Sequence, residues 1–305
     1  MLNKSQSTAS LLRLATYASV ATAMTLIAAK FVAWLVTGSV SVLASLIDSL
    51  MDAAASLINL FAVRYSLMPA DGEHRFGHGK AESLAGLAQA TFIAGSAVFL
   101  ILHATERLQH PRALQNVSVA IWVMAFSVIA TLVLVGIQRY VIQRTGSTAI
   151  RADSLHYMSD LLTNVSIIVA LVLAVYGWPG LDPVFAIGVA LFILYGAWHI
   201  GFEAFHQLMD RELSTEVRDR VQQIALSHPQ VLGVHDLRTR QSGQTQIIQL
   251  HVELNANLLL AKAHTITDEV DAAIREAFPD ADIIIHQDPV PSAERSECQH
   301  GGGVQ

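Results

Sequence analysis

The chain has 305 residues, of which 52% are hydrophobic and only 14% charged, with a net charge of −6, a mean hydropathy of +0.44 and one cysteine. Soluble domains carry roughly 25% charged residues, so a chain that is soluble throughout is excluded. Lone Cys298 excludes an internal disulfide, and no basic run marks a nucleic-acid surface.

The charge deficit is uneven. Residues 1–206 hold 11 Lys/Arg and 10 Asp/Glu, whereas residues 207–305 hold 8 and 15. This break predicts an apolar domain over 1–206, an acidic α/β domain over 207–290, and a disordered tail over 291–305 that carries Cys298 and His300. Lys4 and Arg13 lead into an apolar run without a small-residue cleavage site, which reads as a retained span.

Six stretches, roughly 14–36, 40–63, 82–104, 117–137, 147–176 and 183–205, are long and apolar enough to cross about 30 Å of hydrocarbon. Gly38-Ser39 and the run Trp178-Pro179-Gly180 with Asp182-Pro183 supply two of the turns between them. Lys4, Arg13, Arg64, Arg75, Lys80, Arg139, Arg144 and Arg151 fall on one side, against Arg107 and Arg112 on the other. The positive-inside rule therefore puts both termini in the cytoplasm. Lys30 lies inside the first stretch, where a long side chain reaches an interface or a polar partner, or serves transport.

Within the second stretch, SLIDSLMD places Asp48 and Asp52 four residues apart, on one helix face. The fifth stretch repeats that spacing with His156 and Asp160 in DSLHYMSD. Asp52 precedes Arg64 by 12 residues and Asp160 follows Ser147, a candidate N-cap, by 13, so both sit about 18–20 Å from the same ends of antiparallel helices. Unrelated polar residues, each satisfied by a neighbouring helix, are the competing reading. Ionisable groups at matched depth point instead to one functional site. Three Asp and one His suit a tetrahedral first-row ion such as Zn²⁺, and the absence of Cys and Met ligands argues against Cu⁺.

The loop PADGEHRFGHGK offers Asp71, His74 and His78, enough for a three-ligand zinc site, although two histidines in a polar loop are also ordinary. Beyond Asp210, a helix over 214–227, strands near 232–241 and 245–254 about Ser242-Gly243, a helix over 261–276 and a strand over 282–286 predict an αββαβ domain. His235, His251, His264 and His286 stand out there. Each alone reads as a half-buried strand or surface histidine, but with Asp288 they form a zinc-binding set. His206 and His228 read as surface residues. No H-E-x-x-H motif supports a membrane metalloenzyme, and a passive metal channel is the other rival class.

The motifs GSVSVLASLIDSLMD, PADGEHRFGHGKAESLAGLAQ, ADSLHYMSD, VHDLRTRQSG and IIIHQDP, spread over nearly the whole chain, resemble the cation diffusion facilitator family. That resemblance implies an α-helical membrane protein with six transmembrane helices and a metallochaperone-like cytoplasmic domain. It implies a homodimer in the inner membrane that exports Zn²⁺, Cd²⁺ or Fe²⁺ from the cytoplasm in exchange for protons. Position by position, Asp48, Asp52, His156 and Asp160 match the family's transport site, and Asp71, His74 and His78 its loop site. His235, His251 and Asp288 match one ion of a binuclear cytoplasmic site, with His264 and His286 at the other. Lys80 and Asp210 match a charge interlock near the dimer interface, where the residues alone suggest only solvated charges.

Overall fold

The computed structural model describes residues 4–37, 40–109, 118–176 and 182–291. The expected turns at Gly38-Ser39 and 178–180, Arg112, and the tail with Cys298 and His300 lie outside the described residues. The chain divides into two units, Met1–Leu208 and Met209–Gln305.

The first unit contains six helices: α1 (Lys4–Thr37), α2 (Val40–Ser66), α3 (Lys80–Gln109), α4 (Ser118–Thr145), α5 (Thr148–Val175) and α6 (Asp182–Leu208). Five contain windows apolar enough to cross a membrane: Ser7–Val36, Ser45–Ser66, Lys80–Glu106, Ala125–Thr145 and Pro183–Leu208. The charged residues of the expected sixth span, α5, lie in its first half, at Arg151, Asp153 and Asp160 beside His156, and the rest of the helix is an apolar run. The 28 residues of α5 rise about 42 Å, and it packs against α3, α4 and α6 inside the bundle. Large side chains such as Phe99, Tyr195 and Trp198 are more than 70% exposed on the outer faces, as contact with lipid requires.

Polar contacts fix the start of α5. Gly146 ends α4 in the left-handed region at φ +64°, and its N–H donates to the Ile142 carbonyl. Ser147 then caps α5 as expected, its Oγ accepting the Ile150 N–H at 3.2 Å. The buried carboxylate of Glu82 on α3 accepts the Thr148 N–H at 3.0 Å, a favourable place for negative charge. Arg151 pairs with Glu203 on α6. Gly86 on α3 lets that helix approach the start of α5, where an added Cβ would meet the Thr148 side chain at 3.0 Å.

The second unit runs α7 (Thr215–Leu226), β1 (Gly233–Ser242), β2 (Thr245–Asn255), α8 (Leu260–Ala277) and β3 (Ala281–Val290). Strand order is β1-β2-β3, antiparallel in the first pair and parallel in the second. Gly243, at φ +57°, opens the two-residue hairpin turn. β3 continues four residues past the expected end. Pro289 is tolerated because β3 lies at the edge of the three-stranded sheet.

Alternation decides which face is core. Ile248, Leu250, Val252 and Leu254 of β2 pack with Ile266, Val270 and Ile274 of α8. The intervening residues, including His251 and Glu253, face away from the helices. Replacing Ile274 by Ala removes a fully buried side chain and should cost about 2–4 kcal/mol. Faster hydrogen exchange at the β2 amides, with exchange in α3 unchanged, is the expected readout.

Candidate metal sites

α2 and α5 bring together three of the four residues singled out in the membrane helices. Asp52, His156 and Asp160 each place a ligand atom within 4.8 Å of the other two. His156 Nε2 lies 3.0 Å from Asp52 Oδ1 and 4.0 Å from Asp160 Oδ2. Ligands about 2.1 Å from a tetrahedral ion are roughly 3.4 Å from each other, so little adjustment is needed to close on one. Asp48 stands outside this trio, one turn along α2, but lines the same cavity of about 400 Å³. From the ligands that cavity runs toward Lys30, Ser45, Leu100 and Asn164, the end of the bundle where α1 and α3 finish and α2 begins.

Lys30 reaches a polar partner, one of the two readings of its sequence position. Its ammonium donates to Ser49 Oγ at 2.6 Å and to the Ser45 carbonyl at 3.1 Å, one residue and three residues from Asp48.

Sequence reasoning passed over Asp153. It is fully buried on α5, accepting hydrogen bonds from Ser19 (2.6 Å, α1), Gln138 (2.8 Å, α4) and Gln89 (3.3 Å, α3). Tyr157, one turn on, shares a 2.8 Å hydrogen bond with Ser56 of α2 and donates to the Ser19 carbonyl. The signal was available: 153, 156 and 160 are spaced three and four apart, on the face that carries the ligands.

The loop site forms by a local turn. Asp71 Oδ1 accepts the backbone N–H groups of Glu73 (2.9 Å) and His74 (2.6 Å). The His74 amide is the chief cause holding this carboxyl below its usual range. Asp71 Oδ2 lies 3.3 Å from His78 Nε2 and Oδ1 lies 3.5 Å from His74 Nδ1, so the expected trio is assembled. His78 is buried against the Tyr65 ring, while His74 and Asp71 are about half exposed.

The cytoplasmic cluster comes from register. His235 pairs with His251 across β1 and β2, and His251 with His286 across β2 and β3, so three imidazoles form a row on the face away from the helices. Asp288, two residues on, shares that face. Its Oδ2 lies 2.8 Å from His251 Nδ1 and 3.1 Å from His235 Nε2, and its Oδ1 is 3.2 Å from His286 Nε2. His251's hydrogen bond, then the charges of His251, His286 and His235, hold Asp288 below the usual carboxylate range.

A bulge between His235 and Arg238, with Asp236 at φ +47°, restores the alternation that turns Val234 and Leu237 inward. It also sets Asp236 Oδ2 at 3.8 Å from His251 Nε2, while Glu253 Oε1 lies 3.2 Å from His235 Nδ1. Neither acid stood out in the sequence, because bulge placement and cross-strand register are tertiary facts.

His264 is on α8, exposed and 3.6 Å from Asp268, in the layer opposite the histidine row. His228, expected at the surface, is largely covered and pairs with Glu269 at 2.7 Å. Lys80 donates to the Leu208 carbonyl at 3.3 Å, and Asp210 accepts from Arg240 at 3.2 Å.

Comparison with known proteins identifies the family. The family model of the cation efflux transmembrane domain matches residues 16–209, and that of the cation efflux protein cytoplasmic domain matches 213–290. The chain belongs to the cation efflux family. It is a membrane transporter and not an enzyme. It is 51% identical to the cation-efflux pump FieF of Klebsiella pneumoniae over 95% of this chain and 98% of that protein. Against the Yersinia enterocolitica FieF, identity is 50% over 96% and 97%. Among solved structures, the zinc form of CzrB is 29% identical over 26% of this chain and 92% of that one, with a TM-score of 0.25.

With Asp288 held below the usual carboxylate range, its charge is present from about pH 5.5 to 7.5, so Asp288→Asn should weaken zinc binding at this cluster at both ends of that range. His251→Ala in the full chain should weaken it as well. Isothermal titration at the two pH values reads both.

Proposed function

We propose that this transporter exports a divalent metal ion, Zn²⁺ with Cd²⁺ and Fe²⁺ as alternatives, from the cytoplasm across the inner membrane in exchange for protons. The observation that carries this reading is the meeting of Asp52, His156 and Asp160 in one cavity at mid-helix. An ion held there needs deprotonated ligands, so metal and protons compete for the same atoms. That competition is the chemical basis of antiport. The similarity to FieF pumps, named for cation efflux, supports the direction of transport.

Both termini are assigned to the cytoplasm from the basic residues of the connecting segments. In that orientation the 400 Å³ cavity runs from the ligands toward the far side of the membrane, the side on which metal is released. Alternating access would close this route and open another toward the cytoplasm.

The working unit is proposed to be a homodimer. Residues 1–206 transport, 207–290 bind metal and dimerise, and 291–305 form a tail. His235, His251 and Asp288 hold one structural ion, with donors of the types and spacings zinc accepts. His264 and His286 help hold a second, with His264 placed on α8 beside Asp268. Asp71, His74 and His78 form the loop site. Lys80 and Asp210 contribute a charge interlock to the dimer, an assignment that rests on the family resemblance.

In proteoliposomes, Asp52→Ala or Asp160→Ala should abolish metal-driven proton movement while leaving the dimer intact. Unchanged proton movement in those variants would refute the site. An imposed pH gradient should drive zinc uphill, which a passive channel cannot do. Apparent zinc affinity should weaken roughly ten-fold per pH unit for each proton displaced as pH falls from 7 to 6. A flat profile would break the coupling.

A further inference from the structure

Lys30 lies within the first membrane span and lines the same cavity as Asp48, Asp52, His156 and Asp160. Its two hydrogen-bond acceptors, Ser49 Oγ and the Ser45 carbonyl, are both neutral. A neutral donor would satisfy those atoms at far smaller cost than an ammonium does inside hydrocarbon. The hydrogen bonds therefore account for the place of this side chain, but not for its charge.

Ser45 and Ser49 precede Asp52 on α2 by seven and three residues, so helix rise sets the two acceptors about 5–10 Å from that ligand. The displacement is toward the start of α2, the end to which the cavity extends. The ammonium thus stands beside the route that leads from the ligands to that end. Lysine is a point charge on a flexible stem. Tied to two serines that flank Asp48, it is held beside the ligands, which leaves their oxygens open to an ion. Asp52, Asp160 and Asp48 are all near enough for their charges to act on it.

We infer that Lys30 is the release residue of the transport cycle, a positive charge tethered on the exit side that weakens the hold of Asp52, His156 and Asp160 on the dication. Carboxylates and an imidazole around one first-row ion bind it tightly, whereas transport needs a site weak enough to leave. A neighbouring ammonium repels the bound dication, and salt screens that repulsion little in a partly buried cavity. Once the ion has left, the same charge offsets the emptied carboxylates and favours the released state.

The inference rests on the transport reading and is tested beside it. Zinc binding to the full chain is measured by titration, taking the component that Asp52→Ala removes. Zinc uptake is measured in proteoliposomes at saturating zinc. Lys30→Met keeps the length of the side chain and removes its charge, so it should tighten that Kd about ten-fold and lower turnover several-fold. Lys30→Arg, which keeps the charge, should hold both within about two-fold. Loss of a residue that only joins α1 to α2 would weaken zinc binding or leave it unchanged. An unchanged or weaker Kd in Lys30→Met therefore overturns the inference. So does tighter binding with undiminished turnover, or a Kd that tightens as much in Lys30→Arg. Where Lys30→Met does not assemble, Lys30→Gln, which retains a donor for the two serines, is read by the same criteria. Zinc transport persisting in Asp52→Ala would instead overturn the transport reading itself, and the release role with it.

Discussion

Ionisable groups inside hydrocarbon must find partners, and this requirement organises the membrane unit around α5. A charged side chain at the bilayer centre costs several kcal/mol unless it is paired or hydrated. α5 carries Asp153, His156 and Asp160 on one face. Four neighbouring helices contribute polar groups that accommodate them. Ser19, Gln89 and Gln138 donate to Asp153 from three different helices, while Asp52 of α2 meets His156. The helix that carries these groups is packed against α3, α4 and α6. Its polar face is satisfied by protein and by a cavity, and lipid is left to the exposed apolar faces of its neighbours.

The three ligand clusters arise from three different kinds of local order. In the membrane, the i,i+4 spacing of two antiparallel helices sets ligands at one depth. In the loop, Asp71 accepts two backbone N–H groups and so folds the turn that presents His74 and His78. In the cytoplasmic unit, strand register lines up His235, His251 and His286, and a bulge corrects the parity of β1. Their environments differ in the same order. The membrane trio is partly covered and lies in a cavity, the loop trio joins buried His78 to half-exposed Asp71 and His74, and the sheet cluster is partly exposed on the face away from the helices. On the proposed function, similar donors would serve different ends: exchange of ion for protons in the membrane cavity, and steadier binding on the sheet.

Much of this was legible in the residues. Hydropathy located the helices to within a few positions except at the start of α1 and the end of α4, which run ten and eight residues further than the apolar stretches do. The cause is general: a helix continues past the hydrocarbon as long as its backbone bonds are made, and hydropathy does not sense that continuation. The αββαβ order followed from alternation and turn residues, and the ligand pairs from i,i+4 spacing.

What the sequence determined by itself is a set of one-dimensional periods: which residues share a helix face, which share a strand face, and where the apolar runs stop. Those periods single out Asp48, Asp52, His156 and Asp160, the last three of which meet, because helix rise converts residue number directly into depth. Only the tertiary structure decided what meets across elements: that Asp153 bonds to three other helices, that Lys30 is spent on Ser45 and Ser49, that Asp236 and Glu253 flank the histidine row, and that His264 lies on the other layer. Such contacts depend on helix rotation, strand register and a single bulge. Each is set by packing over the whole unit, and none leaves a spacing for the chain to display.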